Sequence, residues 1–360
     1  MTTFRLALVL LAACGGAKYP VPTTPTAPAL PKGGIEAAAL PYQVLEARTG
    51  RGVDEPAFWS RLAKARAVCL GEEHPNPHHH WMQLHSVREI SKRIGKDKLA
   101  LGLEMIQRPF QGPVDDYVAK KIDAATLQSR AGWAERWGYD WGFYSPTFDA
   151  TIAVGGSILA LNAPKELVKK IVRQGLESLT PDEKLQLPEL KLDDASHRAW
   201  FDALMGDMGG AGVHSKKDGA PADPNAPANP HGTKPADPDA KPANPHSPHG
   251  GGSPHGMPSA DRIYTAQVLW DETMADGAAK WLKANPNGHL VILAGNGHCH
   301  DSAIVNRLKR RGVADVLSVR AVLDDGEGGL ADVLAKPMND YVFVLQLPKS
   351  TAPAPKTAKR

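Results

Sequence analysis

The stretch AVCLGEEHPNPHHHWMQLH, Ala67 to His85, starts as an apolar run and ends in a polar helix, with two glutamates and a histidine at the junction. Ala67-Val68-Cys69-Leu70 reads as a buried strand that stops at Gly71. Pro77 suits the first position of a helix and Asn76 its N-cap, so the helix begins about His78. The same pattern recurs along the chain. Leu99 to Leu103 reads as a strand ending at Glu104, and further apolar runs lie at Ser157 to Leu161, His289 to Leu293, Val316 to Val319 and Tyr341 to Leu345. Amphipathic segments separate them, at His79 to Ile94, Pro164 to Gln174, Asp193 to Met205 and Ala260 to Ala284. Strands alternating with helices predict an α/β fold, a mostly parallel central sheet with helices on both faces.

The 360 residues are 42% hydrophobic and 22% charged, enough to bury a sizeable core. A net charge of +3, with Lys and Arg scattered, excludes a basic stripe for nucleic acid. MTTFRLALVLLAACGG opens with Arg5 and a short apolar run, the form of an export signal. Its Leu11-Ala12-Ala13-Cys14 resembles a lipobox, in which Cys14 is acylated and anchors the chain to a membrane without spanning it. An ordinary signal with an incidental Cys is the alternative. Residues 15–41, rich in Pro, Thr and Ala, read as a flexible tether. Residues 206–258 carry almost no aliphatic side chain and read as a disordered His, Pro and Gly-rich insertion. That leaves a single domain in two pieces, 42–205 and 259–348, and a disordered tail at 349–360. Cys69 and Cys299 have the chemistry for a bridge, but sequence does not supply its geometry. They are expected to be free thiols.

Open α/β sheets bind ligands beyond the carboxyl ends of their strands. Three strand ends carry polar groups: Glu72-Glu73-His74, Glu104-Met105 and Gly295-Asn296-Gly297-His298. A histidine after a strand is often only a capping residue. Two carboxylates and two histidines converging on one edge are a different matter. Glu72, His74, Glu104 and His298 would suit a divalent metal or general acid and base work. On the following helix His79 and Gln83, four apart, are expected to share a face, with His80 turned elsewhere and His78 in a solvated first turn.

These residues carry a family likeness. GEEHPNPHHHWMQ resembles the opening motif of the ChaN-like haem-binding lipoproteins of the Tiki/TraB-type superfamily, matching at Gly71, Glu72, His74, Asn76, His79, His80 and Gln83. Pro75 stands where the family has an acidic residue. LGLEMIQRPFQGPVDDY is similar to a second motif through Glu104, Met105, Gln111, Asp115 or Asp116, and Tyr117. WGFYSPTFDATIAVGGSILALNAPKELV resembles a third, placing Trp141, Tyr144, Pro146, Asn162 and Pro164. QVLWDETMA and LAGNGHCH complete the series through Gln267, Asp271, Met274, Ala275, Gly295, Gly297 and His298. The likeness spans roughly Leu40 to Leu347, although Ala303-Ile304-Val305 departs from the family's Gly-x-Pro region.

The resemblance implies an envelope lipoprotein that binds haem in iron uptake or handling, on the outer membrane because Gly15 rather than aspartate follows Cys14, with a homodimer compatible. Tyrosinate can hold ferric haem axially. Tyr144, beside Trp137, Trp141 and Phe143, is then the expected ligand and Tyr117 the second candidate, with His79, Gln83, Gln111 and Asn162 at the cofactor. The chain has no Cys-x-x-Cys-His, so haem is not attached covalently. The resemblance also implies kinship with proposed metal-dependent peptidases. A hydrolase would use His74 and His298 to bind a divalent ion with Glu104 as ligand or base, though no His-Glu-x-x-His is present. A third reading has His231, His246, His249 and His255 of the insertion collect Zn, Cu or Ni loosely; a solvated spacer is its alternative.

Overall fold

A computed structural model describes residues 30–209, 258–326 and 328–348. Cys14, most of the tether, the histidines of the insertion and the tail lie outside the described residues. The strands are β1 Tyr42–Glu46, β2 Ala67–Glu72, β3 Leu99–Gln107, β4 Ser157–Asn162, β5 His289–Gly295, β6 Val316–Asp324 and β7 Tyr341–Gln346. They form one sheet in the order β1-β7-β6-β2-β5-β3-β4, parallel throughout except that β1 runs antiparallel to β7. This is the expected mostly parallel α/β architecture. Every residue of β2, β3 and β5 is buried, because helices cover both faces and leave no solvent side for alternation to mark.

The helices are α1 Glu55–Lys64, α2 Pro77–Ile94, α3 Gln111–Val118, α4 Ala124–Ala131, α5 Trp133–Arg136, α6 Ser145–Ala153, α7 Lys165–Gln174, α8 Pro181–Leu185, α9 Ala195–Gly209, α10 Ala260–Ala284, α11 Asn306–Arg310 and α12 Gly329–Ala335. Helix α2 starts as its sequence dictates: Pro77 opens it, and the Asn76 side chain accepts from the His78 N–H at 3.1 Å. On one face of the sheet Leu70, Leu101 and Leu293 pack with Met82, Val87 and Ile90 of α2 and Phe148 of α6. On the other, Ala67, Ile292 and Leu290 pack with Met274, Ala278 and Leu282 of α10. Helices α9 and α10, which flank the insertion, meet through Phe201, Tyr264 and Val268.

Cys69 and Cys299 form a disulfide across 230 residues of sequence, their Cα atoms 5.3 Å apart. The expectation of free thiols is therefore corrected. Strand pairing sets Cys69 of β2 beside Ile292 of β5, and the loop leaving β5 folds back over that face, bringing Cys299 within reach.

Candidate functional site

Glu72 ends β2 with a carboxylate shut off from solvent. Four groups surround it. Oε1 accepts from the Tyr144 hydroxyl at 2.9 Å and lies 2.7 Å from His74 Nδ1; Oε2 accepts from Gln83 Nε2 at 2.8 Å and sits 3.5 Å from His80 Nδ1. Burial works to raise the Glu72 pKa, but the His80 charge and the His74 and Gln83 hydrogen bonds outweigh it and hold the carboxyl below its ordinary range. An ionised carboxylate only accepts, so His74 presents Nδ1–H to it and carries its remaining nitrogen, Nε2, on the other side of the ring. Burial also pulls the His74 imidazole down, yet Glu72 and the charge of Glu104 hold it above its usual value.

Beside His74 the strand end of β5 must be glycine. A Cβ on Gly295 would meet His74 Cε1 at 2.9 Å and Nε2 at 3.2 Å, with Glu104 Oε2 at 3.7 Å. The close approach brings His74 and Glu104 together over bare backbone. Glu104 Oε2 accepts the Gly295 N–H at 2.7 Å, and its Oε1 is 3.3 Å from His298 Nε2. His298 Nδ1 lies 2.6 Å from Asp271 Oδ1, whose other oxygen is 3.0 Å from His197 Nε2. A buried chain of contacts thus runs from Glu104 through His298 and Asp271 to His197.

This chain sets a pH window. Burial would raise the Glu104 pKa, but His298 and His74 bring it down from 4.5 to about 2; burial would lower His298, but Glu104 and Asp271 push it up from 6.5 to about 10. Stability from the depressed carboxyl is present above 4.5 and is lost as pH falls toward about 2; that from the raised imidazole is complete below 6.5 and is lost as pH rises through about 10. Both contributions are therefore complete between 4.5 and 6.5. Urea midpoints across pH should show His298→Gln furthest below the parent chain in that window, with the gap closing on either side.

The structure brings Glu72, His74, Glu104 and His298 to one edge of the sheet, and Gln83 joins them at Glu72. It revises their neighbours. His80, not His79, joins Gln83 at Glu72, with Nδ1 3.3 Å from Gln83 Oε1 and Nε2 2.9 Å from the His74 carbonyl. Three apart is as close on a helix surface as four. His79 is buried elsewhere: Nδ1 accepts the Glu73 N–H at 3.0 Å, and burial pushes its imidazole down to about 3. His78 is tied down rather than merely solvated, with Nδ1 2.7 Å from the Ala38 carbonyl.

Asn162 supports Glu104 from behind, donating to its backbone carbonyl at 2.8 Å. Gln111 is removed from the site and latches α3 to β4, accepting from the Ala160 N–H at 2.7 Å and donating to the Ile158 carbonyl at 2.9 Å. Tyr117 stands half-exposed, its hydroxyl 3.5 Å from Asp149.

Tyr144, the expected axial ligand, is fully buried, and its hydroxyl is spent on Glu72; burial and that carboxylate hold the phenol well above its ordinary pKa. Beside His74 stands a part-exposed tyrosine, Tyr139, which the sequence did not single out. Its ring lies 5.2 Å from His74 and 5.5 Å from Trp137, and Trp137 in turn packs edge-on to His74 at 4.6 Å. The Tyr139 hydroxyl makes no hydrogen bond among the described residues. Trp133 Nε1 donates to its backbone carbonyl at 2.7 Å and fixes the loop that carries it. Its signal was the run WGYDWGFY, in which Tyr139 and Tyr144 are both tyrosines of an aromatic loop and only burial tells them apart.

The divalent-metal expectation meets a different geometry. Both nitrogens of His298 face carboxylates, and among the described residues no three His, Cys, Asp or Glu side chains are set to hold a metal ion.

Residues 58–308 match the family described as haem-binding uptake, Tiki superfamily, ChaN. The chain belongs to that family. The match runs from α1 to α11 and takes in every residue of the Glu72 and Glu104 clusters. Among solved structures this family member is similar to ChaN of Campylobacter jejuni, described as binding haem cofacially, with a TM-score of 0.53 at 15% identity over 84% of this chain and 96% of that one. A mutant erythromycin esterase in its open conformation gives a TM-score of 0.38 at 11% identity over 84% of this chain and 82% of that one. Comparison with curated proteins gives no match.

Proposed function

We propose that this chain binds ferric haem at the carboxyl edge of its sheet, on the wall of His74, Trp137 and Tyr139, with the Tyr139 oxygen on the iron. The observation that carries the reading is the division of labour between the two tyrosines: Tyr144 is sealed against Glu72, while Tyr139 offers an unengaged hydroxyl beside an indole face. Burial with Glu72 and Glu104 pushes the Tyr139 phenol up to about 12, so its proton leaves only for a strong Lewis acid, which ferric iron is. Trp137 supplies flat surface for the macrocycle, and Glu72 holds the His74 ring edge-on beside it.

The Campylobacter protein is described as binding haem cofacially. Cofacial binding of that kind is compatible with a homodimer of this chain, which stays in the reading. Export to an oxidising envelope, with Cys14 lipidated at the outer membrane and a role in haem uptake, completes the proposal. The Cys69–Cys299 disulfide supports such a compartment. No helix among the described residues is long and apolar enough to cross a membrane.

The test is a haem titration of the chain lacking its first 29 residues, with and without residues 210–257. Saturable binding of equal affinity in both supports a site in the folded domain. Binding that disappears with residues 210–257 assigns haem to loose histidine chelation instead.

A further inference from the structure

On the β6 side of Glu72 three polar side chains carry buried atoms without partners. The first is Arg320. It lies opposite Gly71 in the β2–β6 register, its Nε is buried without a hydrogen bond, and its guanidinium makes no ion pair among the described residues. The second is Asn296, in the loop leaving β5. Its amide occupies the space that a Cβ on Gly71 would fill, and both its nitrogen and its oxygen are buried and unpartnered. The third is His79, 1% exposed, in the first turn of α2. Its Nδ1 accepts the Glu73 N–H, which puts the ring proton of the neutral imidazole on Nε2, and that atom too is buried without a partner.

Asn296 and Arg320 meet at Gly71, and the Arg320 charge is felt at the His79 ring. Glu73 is the acidic group whose charge acts on Arg320, without closing to an ion pair. Buried polar groups are otherwise hydrogen-bonded, because each one left alone costs about 1–3 kcal/mol. Here the available hydrogens are Arg320 Nε–H, Asn296 Nδ2–H and His79 Nε2–H. A guanidinium flanked by neutral donors is the chemistry that receives a carboxylate.

We infer that Arg320 and Asn296 form a carboxylate-binding subsite beside the Glu72 cluster, and that it takes a propionate of the bound haem. The assignment of the carboxylate to haem rests on the function proposed above; the subsite itself does not. Haem contributes two carboxylates that need a cation once the macrocycle is desolvated, and of the two residues Arg320 supplies it.

The experiment compares haem with its dimethyl ester, in which both carboxylates are blocked, on the parent chain, Arg320→Gln and Asn296→Ala. The expected result is that each variant loses about 10- to 100-fold in haem affinity, the worth of a charge-assisted hydrogen bond, and loses nothing for the ester. Equal loss for haem and ester would overturn the inference, since the residues would then act only on the fold. Unchanged binding of both would overturn it as well. If the parent chain binds no haem, the same proteins are melted with and without acetate. Acetate that raises Tm in the parent chain but not in Arg320→Gln supports a subsite for free carboxylates while the haem reading fails; no shift in any protein rejects both.

Discussion

Replacing Glu72 by leucine is expected to cost about 3–5 kcal/mol of unfolding free energy, the usual penalty for breaking a buried charged cluster by removing one member. The loss would not be confined to one contact. The Tyr144 hydroxyl, Gln83 amide, His80 and His74 all turn toward this carboxylate, and leucine leaves each facing a surface that accepts nothing. Chemical denaturation measures it directly. Glu72→Gln should fall between the two, because an amide keeps one acceptor oxygen but offers unwanted donors to His74 and Gln83. A loss below about 1 kcal/mol for leucine would mean that the cluster is not bound together by charge. His74 should also lose its fixed orientation in either variant, so haem affinity falls with stability.

The second large effect belongs to the disulfide. Joining Cys69 to Cys299 closes a loop of 230 residues in the unfolded chain, for which the chain-entropy relation gives about 5 kcal/mol. At the slope usual for larger domains this corresponds to a Tm lower by roughly 10 °C in the Cys69→Ala, Cys299→Ala double variant. Both sulfurs are enclosed, so a reductant should act on the folded protein only through opening of the structure. Differential scanning calorimetry of oxidised, reduced and double-variant chains checks this, and a Tm unchanged within 2 °C or so would contradict it. Cys299 follows His298 in the chain, so the bond also anchors the loop that carries the Glu104–His298 contact.

Much of the fold was legible because a parallel sheet writes itself plainly. β2, β3 and β5 are buried on both faces and read as apolar runs, and Asn76-Pro77 announces the start of α2. β1 was missed. It is an antiparallel edge strand, and YQVLE mixes polar and apolar residues at a length where neither period shows. β3 runs on to Gln107, past the expected end at Glu104, because both polar side chains find partners inside the edge: Glu104 at Gly295 and Gln107 at Arg136.

At the site, the polar residues that close each apolar run picked out Glu72, His74, Glu104 and His298, since the apolar runs are local sequence. What local sequence could not fix was direction. His79 and His80 are adjacent in one helical turn, and a small rotation of α2 decides which of them meets Glu72. Tyr139 and Tyr144 share one loop, and which is sealed depends on Glu72, 72 residues away from Tyr144 in sequence. The disulfide was hidden for the same reason, its partners being joined only through the pairing of β2 with β5.

The central claim is that Tyr139, rather than Tyr144, reaches the haem iron. Ferric haem should be titrated into the parent chain, Tyr139→Phe and Tyr144→Phe, following the absorbance that marks phenolate bonded to high-spin iron. The account predicts that this band disappears in Tyr139→Phe and persists in Tyr144→Phe, whose loss is one hydrogen bond to Glu72 and a modest fall in stability. A band that survives in Tyr139→Phe and vanishes in Tyr144→Phe would contradict it, and would require Tyr144 to leave Glu72 when haem binds.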